Sequence, residues 1–146
     1  MPEPATIRSD FTYTIVRKLA EGGMGSVYEV HQQGARGFVK KVAMKIIRPE
    51  YARQKLFLEN FIGEAKLVAD LIHTNIVQTY HLGEFDGVCF IAMEFIDGIN
   101  LDQLSQQLAA KHRQLPIELA IFIASRVVRG LAYAHSKRDR DGHPLG

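Results

Sequence analysis

The chain has 146 residues, of which 47% are hydrophobic and 23% charged, with 12 glycines and 5 prolines. These proportions are ordinary for a globular domain and exclude a disordered, collagen-like or disulfide-stapled protein. Lys and Arg number 18 against 16 Asp and Glu, and this net charge of +2 argues against a dedicated nucleic-acid or acidic-membrane surface. A chain of this length suits one domain with a buried core.

The chain's single cysteine and its N-terminus indicate the compartment. Cys89 cannot form an internal disulfide and lies in the apolar run Val88–Met93, which favours an inert buried thiol. Apolar runs reach only about six residues, whereas a membrane-spanning helix needs about 18 or more. Residues 1–4 contain neither the basic nor the apolar region of a signal peptide. We therefore expect a cytoplasmic protein with no membrane segment in this chain.

The N-terminal half predicts an antiparallel sheet. Residues 1–10 form a proline-containing lead that is expected to be flexible, and β-branched and aromatic residues then indicate a first strand. Glycine-rich turns at 21–25 and 34–37 separate it from two further strands. These three strands are predicted over Phe11–Leu19, Ser26–Val30 and Phe38–Ile47.

The pattern changes to a helical period from about Gln54 to Asp70. Apolar residues recur there at steps of three or four, which predicts one face of a helix; they are Phe57, Phe61, Ala65, Val68 and Leu71. Two more short strands are predicted near Ile76–Val77 and over Val88–Phe95, and the Asp-Gly pair at 86–87 favours a hairpin turn between them.

The remainder of the chain is helical in pattern. Leu101, Leu104 and Leu108 mark a short amphipathic helix, and Pro116 suits the first turn of a longer one. Between Ile117 and Ala134 this second helix has a wide apolar stripe, and residues 139–146 are predicted as a polar turn.

Two features suggest phosphate chemistry. Gly22 and Gly25 lie between two predicted strands, where a backbone without Cβ atoms can approach a polyphosphate, although a plain hairpin turn explains them as well. Lys45 lies inside an apolar strand and must either reach the surface or find negative partners. Glu64, on the predicted helix, offers a carboxylate that could pair with Lys45.

The order of these features resembles the protein kinase family of the serine/threonine type, and Gly22–Gly25 looks like its bacterial branch. Leu19–Val27 matches the family's glycine-rich loop, with Ala20 in place of the first glycine. Val42–Lys45 matches the strand with the phosphate-binding lysine, and Phe61–Ala65 matches the helix whose glutamate, here Glu64, orients that lysine.

The resemblance covers residues 11–146 and includes the connection between the family's two lobes. His73–Val77 is similar to the entry to the fourth strand, and Met93–Gly98 looks like the hinge, with the backbone of Glu94 and Ile96 facing adenine. The resemblance assigns ATP binding to Leu19, Ala20, Glu21, Gly22, Gly23, Met24, Gly25, Val27, Ala43, Lys45, Met93, Glu94 and Ile96, and it assigns catalytic roles to Lys45 and Glu64.

The implied fold is an incomplete α+β protein-kinase-like domain. A five-stranded antiparallel sheet with one long helix would form the N-lobe over residues 11–95, followed by a hinge exit at 96–99. Two helices would then begin the C-lobe over 100–146. Because Leu131–His135 resembles the end of the helix before the family's catalytic loop, the domain would be truncated just before that loop.

Phosphoryl transfer in this family also requires the motifs H-R-D-x-x-x-x-N and D-F-G, which supply a proton acceptor and magnesium ligands. Neither motif is present: Asp139 has no preceding His-Arg pair, and the Asp-Gly pairs at 86–87 and 97–98 fit a strand turn and the hinge exit. The six histidines and one cysteine also lack zinc-like spacing. We therefore assign no metal ligand in this chain, and expect the Mg²⁺ ligands in the missing C-lobe.

The leading hypothesis is an ATP-dependent serine/threonine kinase that phosphorylates protein hydroxyls, represented here by a fragment that is inactive alone. Its expected partners are ATP and a protein substrate. The alternatives are a nucleotide-binding module without chemistry and a kinase-docking module. Self-association or docking would use the Ile117–Ala134 face, part of which is expected to be uncovered.

Overall fold

The computed structural model describes residues 6–8, 11–138 and 142–143, so most of the predicted lead and of the polar turn at 139–146 lie outside the described ranges. Six strands and four α-helices lie within these ranges. The strands are β1 (Thr6–Arg8), β2 (Thr12–Glu21), β3 (Gly25–Gln33), β4 (Val39–Ile47), β5 (Thr79–Phe85) and β6 (Val88–Glu94). The helices are α1 (Pro49–Ala52), α2 (Lys55–Ala69), α3 (Leu101–Ala110) and α4 (Ile117–Ser136).

The strands form one antiparallel sheet in the order β1-β2-β3-β4-β6-β5. The long helix α2 and the five predicted strands are confirmed, except that the fourth of these strands lies further along the chain than predicted. The sheet begins earlier than expected, because β1 lies in the N-terminal lead and pairs with β2 through Ile7 and Tyr13. The Asp86-Gly87 turn between β5 and β6 is also confirmed, with positive φ angles of 49° and 74°.

The predicted position of the fourth strand, near Ile76–Val77, is wrong. In the structure β5 begins only at Thr79. The Ile76 amide donates a hydrogen bond to the His73 carbonyl at 3.0 Å, so the chain turns here before it extends. Apolar content alone cannot distinguish such a turn from the start of a strand.

Each face of the sheet carries its own apolar cluster. Partner residues share a face and successive residues alternate, so Met44 and Ala92 lie on one face and Lys45 and Ile91 on the other. The first cluster comprises Tyr13, Val30, Val42, Met44, Phe90 and Ala92. The second joins the sheet to α2 through Ile47, Phe61, Ala65, Cys89 and Ile91.

One carboxylate is buried in the sheet. Glu29 of β3 accepts a hydrogen bond from Arg17 Nε at 2.7 Å, and its other oxygen lies 3.6 Å from Lys41 Nζ. Two cations from the neighbouring strands therefore compensate the charge that folding removes from water.

The chain divides into two compact units. The first contains the sheet, α1 and α2, and the second contains residues 73–76 together with the chain from Ile96 onward. Within the second unit the His73 ring stacks on Tyr133 of α4 at 5.0 Å between centroids. Gly130 allows the helix to approach residues 73–76, since a Cβ there would lie 3.2 Å from the Asn75 carbonyl oxygen. No helix within the described ranges is long and apolar enough to span a bilayer.

Candidate functional site

One face of the sheet collects five of the residues that the family resemblance assigned to ATP binding. Val27 of β3 lies opposite both Ala20 of β2 and Lys45 of β4. Ala43 and Met93 lie opposite each other in the neighbouring row of the same face. These positions place the small or apolar side chains of Ala20, Val27, Ala43 and Met93 on the same face as the Lys45 ammonium.

Lys45 and Glu64 line the same cavity, between β4 and α2. The cavity measures about 220 Å³ and is lined by Met24, Lys45, Ile47, Phe57, Asn60, Phe61 and Glu64. Three of these, Met24, Lys45 and Glu64, were predicted as site residues. Asn60 was missed. It lies one helical turn before Glu64, so the helical period alone predicts that both side chains are on the same face of α2.

The expected ion pair between Lys45 and Glu64 is not formed among the described residues. Lys45 Nζ instead lies 5.8 Å from the centroid of the Phe61 ring, and Glu64 is exposed. Phe61 is buried against the sheet, so it is the α2 side chain that faces Lys45. An exposed ion pair contributes only about 0–1 kcal/mol, too little by itself to hold the two side chains together.

The glycines in the turn after β2 and at the start of β3 differ in what requires them. A Cβ on Gly25 would lie 2.3 Å from the Ile46 carbonyl oxygen, so the pairing of β3 with β4 itself requires glycine there. A Cβ on Gly22 would find its nearest described neighbour at 3.6 Å, and one on Gly23 would have nothing within 4 Å. Neither Gly22 nor Gly23 has a positive φ. Neither internal packing nor backbone conformation therefore requires glycine at positions 22 and 23.

Glu21, at the end of β2, is held by two cations. Its carboxylate accepts a hydrogen bond from Lys18 Nζ at 3.1 Å and one from Arg48 Nη2 at 3.2 Å. The hydrogen bond from Lys18 is the main cause that lowers the pKa of Glu21, and the charges of Lys18 and Arg48 act in the same direction. Glu21 was predicted as a site residue, whereas Arg48 was missed, since nothing in the local pattern connects two residues so far apart.

The predicted hinge residues differ in their surroundings. The Glu94 amide donates to the Gln78 carbonyl at 2.8 Å, and the Glu94 side chain accepts from the Gln78 amide. Of the two backbone groups of Glu94, the amide is therefore already paired, and the carbonyl is the one that could contact an adenine base. Leu19 lies where the pairing of β2 with β3 is irregular, and Ile96 is exposed at the start of the second unit.

The described residues offer no donor set for a divalent cation. Within residues 6–8, 11–138 and 142–143, no three His, Cys, Asp or Glu side chains lie close enough to share a metal ion.

Comparison with known proteins identifies the family. The model of the protein kinase domain matches residues 13–139 of this chain. The tyrosine-protein kinase MasK of Myxococcus xanthus is 35% identical over 133 residues, covering 91% of this chain and 21% of MasK. The serine/threonine-protein kinase PknI of Mycobacterium tuberculosis is 35% identical over 126 residues, covering 86% of this chain and 20% of PknI.

A solved structure supports the same assignment. The crystal structure of the M. tuberculosis PknI kinase domain matches with a TM-score of 0.66 and 35% identity, over 85% of this chain and 47% of that domain. The chain belongs to the protein kinase family, and its fold is part of a protein kinase domain. It spans about a fifth of the length of the full-length relatives and about half of the solved kinase domain.

Proposed function

We propose that this chain provides the ATP-binding half of a serine/threonine protein kinase. The observation that carries the proposal is the face formed by Ala20, Val27, Ala43 and Met93, which ends at the Lys45 ammonium. Small and apolar side chains suit the flat adenine ring, and a lysine at the edge of that surface suits phosphate oxygens.

The loop between β2 and β3 supports the same function. Because the chain's own packing leaves room for a Cβ at Gly22 and Gly23, their bare backbone is best explained by a ligand that approaches from outside. Backbone amides in such a turn can donate to phosphate oxygens. Lys45 would bind the α- and β-phosphates, and Glu64 would hold Lys45 once the nucleotide has drawn the two together.

The transfer step requires residues beyond those of this chain. The substrate hydroxyl oxygen would form a bond to the γ-phosphorus while the bond to the β-phosphate oxygen breaks, which releases ADP, and a base would accept the hydroxyl proton. The sequence has neither of the two motifs that supply the base and the magnesium ligands. We therefore expect the 146-residue chain to bind nucleotide without phosphorylating protein.

The type of hydroxyl is the finer part of the proposal. PknI is a serine/threonine kinase and MasK a tyrosine kinase, and each is 35% identical to this chain over the matched residues. Analysis of phosphorylated residues in a substrate treated with the longer protein would decide between them. Phosphotyrosine as the product would replace serine/threonine specificity while leaving the ATP site unaffected.

Titration calorimetry with ATP tests the binding function on this chain. We expect measurable heat at high protein concentration, and Lys45→Met should weaken binding at least about tenfold, because it removes a charge-assisted contact to phosphate. Lys55→Met is the matched control, since Lys55 is exposed and its one ion pair among the described residues is a surface pair with Glu59 at 3.9 Å. Equal binding by Lys45→Met and the unsubstituted chain would refute the role of Lys45.

A second function, docking on a protein, is favoured by one observation. The apolar stripe of α4 is exposed in the described structure, so it could contact another copy of the chain, another kinase or a scaffold. In the longer kinase we propose that this stripe packs on later parts of the domain. We also propose a cytoplasmic location, consistent with a lone buried cysteine and the absence of disulfides among the described residues.

A further inference from the structure

We propose that Arg48 is a positioning residue that fixes the loop between β2 and β3 and thereby sets the affinity for the phosphates of ATP. The inference deepens the proposed function and rests on it. Arg48 follows β4 directly and makes three contacts with the loop. Its amide donates to the Met24 carbonyl at 3.2 Å, and its Nη2 donates to the Gly22 carbonyl at 3.0 Å and to Glu21 Oε1 at 3.2 Å.

The contact with the Gly22 carbonyl sets the orientation of one peptide unit. In a planar trans peptide the carbonyl and the following amide point in opposite directions. A guanidinium that holds the Gly22 carbonyl therefore turns the Gly23 N–H away from Arg48. No acceptor in the described part of the chain receives this N–H, so it is available to a phosphate oxygen.

The contact with Glu21 acts on charge. A carboxylate at the edge of a phosphate-binding loop would repel a triphosphate, and the repulsion would be stronger if the side chain were free to approach the ligand. Arg48 and Lys18 each hold one oxygen of Glu21. The two cations offset its charge and restrict the positions that it can reach.

The place of Arg48 in the chain links the loop to Lys45. Both residues are carried by the same segment, and Ile47 between them is buried in the cluster that joins the sheet to α2. The close approach of Gly25 to the Ile46 carbonyl adds a further constraint. The loop amides and the Lys45 ammonium are therefore held by one backbone segment, so that both can meet one polyphosphate.

Binding of two ligands to the intact chain tests the proposal, with ATP reporting on the phosphates and adenosine on the base alone. We expect Arg48→Met to weaken ATP binding roughly tenfold, the effect of losing one charge-assisted hydrogen bond, and to leave adenosine binding within about twofold. Arg48→Lys should recover part of the loss, because it keeps the charge. Arg53→Met is the matched control: Arg53 is exposed, and its side chain makes no hydrogen bond or ion pair among the described residues.

Each outcome decides the question. Unchanged ATP affinity in Arg48→Met, with normal binding by the unsubstituted chain, would overturn the role of Arg48 and leave the proposed function intact. Equal weakening of ATP and adenosine would reduce Arg48 to a structural residue. Binding of neither ligand by the unsubstituted chain would refute the proposed function and this inference together.

A direct measurement of the loop covers the case in which Arg48→Met does not fold. Hydrogen exchange of a peptide that spans Gly22–Met24 should be faster in Arg48→Lys than in the unsubstituted chain without nucleotide, since a single ammonium replaces the planar guanidinium. Unchanged exchange, together with unchanged ATP affinity in Arg48→Lys, would overturn the proposal without the methionine variant.

Discussion

The Cys89 thiol lies in the cluster between the sheet and α2, where Phe61 and Ile91 surround it. Burial raises the pKa of Cys89, and the charge of Glu84, its partner across β5 and β6, raises it further. The thiol therefore stays protonated at neutral pH. Because only the thiolate is strongly nucleophilic, the folded chain should be inert at this position.

Alkylation tests this expectation. At pH 8, iodoacetamide should modify Cys89 of the folded chain at least about a hundredfold more slowly than in urea, since modification requires an opening of the cluster. Mass spectrometry of samples taken over time gives both rates, and a short peptide that contains residues 86–92 is the reference for a free thiol. Similar rates in buffer and in urea would contradict the buried position.

Helix α3 is defined by the hydrogen bonds at its two ends. At its start the Asn100 side chain accepts from the Gln103 amide at 2.8 Å, and the Gln103 side chain accepts from the Asn100 amide at 3.0 Å, which together make a capping box. At its end the Arg113 amide donates to the Leu108 carbonyl and the His112 amide to the Ala109 carbonyl. This pair of bonds is a Schellman motif, which requires a left-handed residue.

His112 occupies that left-handed position, with a φ of 50°. Glycine adopts this conformation without the steric cost that a Cβ imposes, so His112→Gly should raise the free energy of unfolding by about 1 kcal/mol. Urea denaturation measures the change. Lys111→Gly, at a φ of −98°, should instead lower stability, and a destabilised His112→Gly variant would contradict the assignment of the motif.

At the scale of the whole molecule, α4 exposes most of its apolar stripe. Ile117, Ile121, Val128 and Leu131, which follow one another at steps of four, seven and three residues, are 73, 64, 62 and 52% exposed. The prediction that part of this face is uncovered is confirmed for the described structure. A contiguous apolar surface of this kind favours association in water.

The chain alone should therefore bind an apolar-surface dye or sediment as more than a monomer. Val128→Glu introduces a charge in the centre of the stripe and should reduce both effects. Arg129→Glu introduces the same side chain at an exposed position about 100° around the helix from Val128. Analytical ultracentrifugation and dye fluorescence measure the difference. A monomeric chain that binds no dye would contradict the expected association.

The sequence by itself determined the kind and order of the main elements and the family, although it did not predict β1 or α1. The alternation around Lys45 predicted a strand, the period of Phe57 and Phe61 predicted α2, and the Asp86-Gly87 pair predicted the hairpin turn. These signals are local, since backbone conformation follows from the period of side chains and from the residues that permit a turn. They also suggested that Lys45 could pair with Glu64; the two residues line the same cavity, but no ion pair joins them.

Only the tertiary structure decided which groups make contact. In the structure β5 begins at Thr79. Phe61, rather than Glu64, is the helix residue in contact with the Lys45 ammonium. Arg48 donates a hydrogen bond to the Gly22 carbonyl in the loop. The tertiary structure also separated Gly25, which the pairing of β3 with β4 requires, from the unconstrained Gly22 and Gly23. The physical reason is that these outcomes depend on distances between segments that are far apart in sequence, and the pattern of one segment contains no information about the packing of another.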